Sequence, residues 1–222
     1  MARTPSARLN NRGGRILTWV ARSFIGRMWF SRRLKRLAAS SDPVRLHLGC
    51  GPRLLPGWIN VDFVVGVNVL LDLRRPLPLP NDSVDCIFSE DFLEHLTLKA
   101  GRALLGECAR VLKPGGTLRL ATPDLARLVQ TYLERSEARL EQSRKMFPNH
   151  STFAQMFNTG MRAWGHQFVY DEETLRSVLE PLGFRVTREQ FSQSTHPDLR
   201  GLDLRDANAW AQSMYIEAEM PS

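Results

Sequence analysis

Cysteine is scarce in this chain, with three in 222 residues. An odd number over that length does not build a disulfide framework. No Cys-x-x-Cys pair or histidine cluster has the spacing of a structural metal site. Cys86, in an expected strand, and Cys108, in an expected helix, read as small buried hydrophobes. No run of about 18 apolar residues exists, so no spanning helix is expected. Arginines interrupt the apolar stretch near the N-terminus, which argues against a signal peptide. Acidic residues are absent from residues 1–40, which hold ten of the 30 lysines and arginines. Beyond them stand 20 basic and 23 acidic residues, so the formal charge of +7 belongs to the N-terminal arm. A nucleic-acid surface on the remaining domain would need basic residues clustered near its site, and that pattern is missing. The length suits one domain with a sizeable core, and no internal repeat is visible.

The arm divides in two. Residues 1–14, with Pro5, Gly13 and Gly14, are expected to be disordered. Residues 15–37 have the period of an amphipathic helix. Leu17, Val20, Ala21, Phe24 and Met28 share one face, Ile25 and Trp29 widen it, and Arg15, Arg22 and Arg33 lie opposite. Three readings stay open: a helix packed on the domain, a helix lying on an anionic membrane surface, and an organelle transit segment.

What is present is a glycine turn between two short apolar runs, Val44-Arg45-Leu46-His47-Leu48-Gly49-Cys50-Gly51-Pro52 and Trp58-Ile59-Asn60-Val61-Asp62. Gly49 and Gly51 let the backbone pass close to a ligand. The Asp62 carboxylate can accept two hydrogen bonds from a vicinal diol such as a ribose. A dinucleotide fingerprint wants a third glycine where Leu54 stands, then a helix for the pyrophosphate. Pro52 and Pro56 forbid a long helix there. No Gly-Lys-Ser/Thr follows, which excludes a phosphate-binding loop. A cofactor with a nucleoside and no phosphate fits better, and S-adenosylmethionine is the common one.

At these residues the chain resembles the class I S-adenosylmethionine-dependent methyltransferases, and more closely the small bacterial type 11-like predicted methyltransferases. The resemblance runs over roughly residues 44–220. Four further blocks carry it: Leu71-Asp72-Leu73 with Leu77-Pro78-Leu79-Pro80; Ser83-Val84-Asp85-Cys86-Ile87-Phe88-Ser89-Glu90; Leu93-Glu94-His95-Leu96; and Val111-Leu112-Lys113-Pro114-Gly115-Gly116-Thr117-Leu118-Arg119-Leu120. It implies an α/β fold, a doubly wound and mostly parallel seven-stranded Rossmann-like sheet with an antiparallel last strand. It also implies roles. Gly49, Cys50 and Gly51 pass under the methionine and ribose, and Asp62 takes the ribose hydroxyls. Asp72 and Leu73 contact adenine, and Ser89 and Glu90 border the methyl group. Many relatives have Asp or Glu where this chain has His47, so here the methionine ammonium needs another partner. His47 itself reads as an inward-facing strand residue satisfied by a neighbour.

The expected element order agrees. Strands are read at Arg45–Leu48, Ile59–Asp62, Val67–Asp72, Val84–Ser89 and Thr117–Ala121, with late strands at Phe184–Glu189 and Ser213–Glu219 as an antiparallel pair. A helix runs from about Thr97 to Leu112 and stops at Lys113-Pro114-Gly115-Gly116. Another spans Asp124 to about Glu141. Asp171 N-caps a third that ends at Leu182, with Thr174 at the third position. The arm, residues 1–40, thus precedes a methyltransferase domain, residues 41–222. Within it residues 143–165 show no clear period and are a candidate lid or insert. Ser194–Leu202 reads either as a loop bordering the acceptor cleft or as a structured surface turn.

The sulfonium methyl is already an electrophile, so the protein's task is alignment of an acceptor lone pair, together with a base for an acceptor that must lose a proton. Glu90, His95 and His166 are the candidate bases. The Asn/Asp-Pro-Pro-aromatic motif used on base amines is absent, and Ser89-Glu90-Asp91-Phe92 stands in its place. No Pro-Cys pair offers a nucleophile. The expectation is methyl transfer to an O or N atom of a small-molecule, glycan or lipid-linked acceptor, by a cytoplasmic protein, with contact between residues 15–37 and the inner face of a membrane among the readings left open for the arm. The alternatives are an RNA methyltransferase gripping through the arm and a non-catalytic binding module.

Overall fold

A computed structural model describes residues 24–40, 43–64, 66–204 and 213–222. The expected disorder of residues 1–14, and Leu17, Val20 and Ala21 of the arm's apolar face, lie outside the described residues. The chain opens with helix α1 (Phe24–Ser40), then β1 (Arg45–Leu48), β2 (Ile59–Asp62), β3 (Val69–Leu70) and β4 (Val84–Glu90). Helix α2 (Leu98–Val111) leads into β5 (Leu112–Pro123). Helices α3 (Leu125–Glu134), α4 (Glu137–Met146), α5 (Phe153–Arg162) and α6 (Glu172–Leu179) follow, then β6 (Arg185–Glu189) and β7 (Ser213–Glu219). The strands form one seven-stranded sheet in the order β3-β2-β1-β4-β5-β7-β6. β7 runs antiparallel to both its neighbours and the other pairs are parallel. This is the Rossmann-like methyltransferase architecture that the blocks implied.

Strand alternation gives the sheet two unlike faces. Leu46, Leu48, Ile59, Val61, Ile87, Leu118, Leu120 and Ile216 point to one side. There they pack with Leu104, Leu105, Cys108 and Val111 of α2, and with Leu175, Val178 and Leu179 of α6. The other face carries His47, Asn60, Cys86, Phe88, Arg119 and Glu217, all buried. Its apolar patch, Cys86 and Phe88, is covered by Leu55, Trp58, Leu199 and Leu202, and none of these is helical. The β1–β2 connection is too short for the usual crossover helix, as its two prolines predicted.

Several boundaries differ from the sequence reading. β3 is only Val69–Leu70, because the Asn68 side chain leaves the ladder and accepts from the Asn60 backbone amide at 2.9 Å. β5 begins at Leu112, so Lys113-Pro114-Gly115-Gly116 falls inside a strand and does not cap the helix. The helix expected from Asp124 to Glu141 breaks at Arg135, which turns left-handed with φ 47°. Residues 143–165 are mostly helical. Thr152 and Gln155 form a reciprocal capping box at the start of α5, a Thr-x-x-Gln signal legible in the sequence. Tyr132, Leu140, Phe153 and Met156 knit α3, α4 and α5 into a satellite cluster beyond the end of β5. The Asp171 cap is as expected, its carboxylate accepting from the Thr174 amide at 2.8 Å.

The arm helix also corrects a prediction. Leu34, fully buried, joins the main core, with Phe30, Leu37 and Ala38 packed beside it. The described residues of the expected apolar face point outward: Ile25 is 79 % exposed and Trp29 56 %, and Met28 is exposed as well. Helical periodicity marks two apolar stripes on α1, and tertiary contact selects the second.

Candidate active site

The parts expected to hold a nucleoside meet at the carboxyl ends of β1, β2 and β4, where the strand order reverses and ligands of open α/β sheets bind. Gly49 and Gly51 have φ of +68° and +52°, which side-chain-bearing residues rarely adopt. The Gly49 amide donates to the Val61 carbonyl at 2.9 Å, and the Gly51 amide to Asp62 Oδ2 at 2.7 Å. The Phe63 amide donates to Asp62 Oδ1. Asp62 is only partly buried. Each carboxylate oxygen accepts one backbone bond and keeps further lone-pair capacity, which is what a ribose diol requires. The residues therefore fit a nucleoside cofactor. A Cβ built on Gly49 would fall 2.1 Å from the Phe92 ring, so the turn and the end of β4 touch closely.

Behind the turn lies a residue that sequence reasoning passed over. Asn60 Oδ1 accepts from the Leu55 amide at 2.8 Å, and its Nδ2 donates to the carbonyls of Leu55 and Trp58, each at 3.1 Å. One buried amide thus fixes the shape of the whole 51–58 loop. His47 Nδ1 donates to the same Oδ1 at 3.1 Å. Burial lowers the His47 pKa to about 4, which keeps it neutral and matches the expected satisfied strand residue. Cys50 is buried too, its thiol pushed up to about 12.

Other expected contacts are partly committed elsewhere. The Asp72 carboxylate pairs with Arg74 Nε at 2.8 Å and Nη2 at 2.9 Å, which holds its pKa low. Leu73 buries its side chain in the main core. Ser89 is buried at the end of β4. Glu90 Oε2 accepts from Arg53 Nη1 at 3.0 Å, and Oε1 from the Leu204 amide at 2.7 Å. Arg53 Nη2 also donates to the Leu202 carbonyl at 2.5 Å. Glu90 is thus a clamp between the glycine-turn loop and the 202–204 segment, with one donor on each carboxylate oxygen.

His95 and His166 come together, 71 positions apart in sequence. Their rings are 5.0 Å apart between centroids and nearly perpendicular. His95 lies in the 3-10 turn Leu93–His95, and His166 follows a second, Ala163–Gly165. The two turns are stitched by the Gln167 amide donating to the Glu94 carbonyl at 2.7 Å and by Gln167 Nε2 donating to the His95 carbonyl at 2.7 Å. Burial lowers both histidine pKa values, so both rings are neutral near pH 7. Between them the fully buried Glu94 places Oε1 3.9 Å from His166 Nε2 and accepts from Thr122 Oγ1 through Oε2 at 3.0 Å. Glu94 stood in the quoted block without a role. Asp91 and Trp164 flank the cluster with φ of +50° and +56°, backbone strain that concentrates at functional sites.

Comparison with known proteins bears on this geometry. Residues 60–120 match the family model described as a methyltransferase domain. No curated protein matches in sequence. Among solved structures, an O-methyltransferase family protein from Burkholderia thailandensis has a TM-score of 0.50 at 13% identity, over 94% of this chain and 56% of its own. A phosphoethanolamine N-methyltransferase 2 from Haemonchus contortus, complexed with phosphomonomethylethanolamine and S-adenosylhomocysteine, has a TM-score of 0.50 at 15% identity, over 97% of this chain and 58% of its own. A SAM-dependent methyltransferase from Archaeoglobus fulgidus has a TM-score of 0.49 at 18% identity, over 87% of this chain and 94% of its own. The two structures with a TM-score of 0.50 carry the fold. The family match, which spans Asp62, β4 and most of β5, carries the activity: the chain is an S-adenosylmethionine-dependent methyltransferase with a methyltransferase-domain match over residues 60–120.

Proposed function

We propose that this S-adenosylmethionine-dependent methyltransferase transfers its methyl group to an O or N atom of a small-molecule, glycan or lipid-linked acceptor seated beside Glu94, His95 and His166. The observation that carries the reading is the gathering of those three groups one turn beyond β4, near enough to Asp62 for its charge to act on His95. The cofactor supplies an electrophilic methyl group. The chain's own part is to hold the nucleoside on Gly49–Gly51 and Asp62, to align the acceptor, and to help it lose its proton at the histidine cluster. Residues 41–222 form the methyltransferase domain, and the helical segment that includes residues 143–165 caps its acceptor side. The test incubates the full chain with methyl-labelled cofactor and small-molecule, glycan, lipid and RNA extracts, read by mass spectrometry. Label in one of the first three supports the reading. Label in RNA alone overturns it in favour of an RNA methyltransferase, and cofactor binding without any transfer marks a binding module.

Cofactor affinity gives a first expected result. Asp62→Ala removes both the ribose acceptor and the carboxylate that holds the Gly51 amide. Calorimetry should show S-adenosylmethionine binding weakened by about 1–3 kcal/mol. Unchanged affinity would remove Asp62 from the site.

The outer face of α1 supports a place for this enzyme on the cytoplasmic side of an anionic membrane. No helix among the described residues is long and apolar enough to cross one. Exposed Ile25, Met28 and Trp29 are followed one turn later by exposed Arg32, Arg33, Lys35 and Arg36. The helix carries no acid, and the Arg33 guanidinium lies 5.7 Å from the Trp29 ring centre. An apolar turn that inserts and a basic turn that meets headgroups match an interfacial helix, at roughly 1 kcal/mol per basic residue. The full chain should sediment with anionic vesicles at low salt and be released at high salt. Ile25→Ser with Trp29→Ser should weaken sedimentation without changing the melting temperature, because both side chains are exposed. Equal sedimentation of the double variant would confine the arm's role to packing.

A further inference from the structure

We infer that Glu94, His95 and His166 form a binding site for one divalent transition-metal cation. This rests on the reading that the acceptor is seated at that cluster, and it adds how the cluster acts. One ligand atom from each residue lies within 4.8 Å of the other two, a set of two imidazoles and one carboxylate. That donor set suits Zn²⁺, Fe²⁺, Co²⁺ or Mn²⁺ and leaves coordination positions open.

The surroundings of each ligand support the site independently of the cluster itself. A metal-ligating histidine usually donates its other ring N–H to a carbonyl or carboxylate, which fixes the tautomer and aims the lone pair. His166 Nδ1 lies 3.0 Å from the Gly160 carbonyl, which can only accept, so Nδ1 holds the hydrogen and the Nε2 lone pair faces Glu94. The Trp164 backbone acts on the His95 ring as a nearby acceptor does, strengthening its hold on a proton. Glu94 Oε2 is occupied by Thr122 Oγ1, which turns Oε1 toward His166. At 3.9 Å the Glu94–His166 separation is too long for a hydrogen bond, and about half an ångström wider than the roughly 3.4 Å between two donors on one tetrahedral cation, a gap that a small movement of the two side chains closes. Charge is favourable as well, since Glu94 is fully buried and the charge of Asp91 acts on both histidines.

A cation there is a Lewis acid for the acceptor. It lowers the pKa of a hydroxyl that binds it, the proton passes to bulk water, and the freed oxygen lone pair is held facing the methyl group. The role follows from position: the site lies beyond β4, on the side of the sheet that ends in the cofactor turn.

Cobalt titration of the chelator-stripped full chain tests this. Co²⁺ should bind at one equivalent with ligand-field absorption in the visible, and Zn²⁺ should displace it. His166→Ala and Glu94→Gln should each weaken Co²⁺ binding at least about tenfold. His196→Ala should leave it unchanged, although His196 stands with Cys86 and Asp198 in a second His/Cys/Asp group. Calorimetry with S-adenosylmethionine in each variant confirms that the fold is kept, and the near-isosteric Glu94→Gln serves if His166→Ala does not fold. No Co²⁺ uptake, or uptake abolished by His196→Ala alone, overturns the site. Loss of turnover in His95→Ala without cation uptake discards the cation and keeps the acceptor reading. Cation uptake with normal turnover in His95→Ala discards the acceptor reading and, with it, the Lewis-acid role.

Discussion

Replacing His95 with alanine is expected to slow methyl transfer by about 10²–10⁴-fold, the range that a group taking up or displacing the acceptor proton supplies. Affinity for S-adenosylmethionine should stay as it was. The separation of the two effects follows from geometry. The nucleoside side of the site is built by Gly49, Gly51 and Asp62 on the β1–β2 connection. His95 hangs from the 3-10 turn after β4 and faces His166 and Trp164. Its removal leaves the Asp62 bonds intact. The measurement is steady-state turnover beside calorimetry of the same preparation. A fall in cofactor affinity equal to the fall in turnover would place His95 under the cofactor, and full activity would remove it from the chemistry. Glu90→Gln offers a contrast. That variant should loosen the Arg53 and Leu204 contacts and affect binding more than the chemical step.

Much of this site was legible because its nucleoside half is continuous in sequence. A strand, two glycines and an acid eleven residues later fix their own geometry through local bonds, and β1 and β2 begin and end where the pattern places them. The alternation of Ser213–Glu219 located β7, and an N-cap aspartate located α6. The acceptor half was less legible. His95 and His166 were each named, yet their meeting depends on the bonds of Gln167, which no periodicity encodes. Glu94 looked like motif filler until its burial and its bond to Thr122 showed what it does. On α1 the sequence offers two apolar stripes, and only contact with β2 and β3 decides between them. The break at Arg135 carried no glycine to announce it; the signal present was Ser136, which caps the next helix by accepting from the Arg139 amide.

Replacing Arg119 with methionine is the change expected to cost the most stability. Arg119 is the largest fully buried side chain, 0 % exposed, in the middle of β5. Its Nε and Nη2 donate to the two oxygens of Asp203 at 2.9 and 2.5 Å, its Nη1 to Glu217 Oε1 at 2.7 Å, and Nη2 also to the Gln190 carbonyl at 3.1 Å. Burial alone would weaken its hold on its proton, but the two carboxylates raise its pKa above the ordinary arginine value. Asp203 Oδ2 in turn accepts from the Ser192 amide at 2.7 Å, so one guanidinium fastens both ends of the 190–203 segment to the polar face of the sheet. Methionine fills a similar volume and leaves Asp203 and Glu217 as buried, unneutralised carboxylates. Removing one partner from such a pair costs about 3–5 kcal/mol. For a domain of this size that lowers the melting temperature by roughly 6–20 °C. The triple change Arg119→Met, Asp203→Asn, Glu217→Gln should recover most of that loss, since no buried charge is then left alone. At the C-terminal end of that segment, Leu202 and the adjoining Leu204 are bonded to Arg53 and Glu90, which hold them against the cofactor turn. Arg119→Met should therefore also weaken S-adenosylmethionine binding under conditions where the variant remains folded. A variant that melts with the wild-type chain would mean that water reaches these charges. A destabilised variant with normal cofactor affinity would mean that the 202–204 contacts hold without the guanidinium behind them.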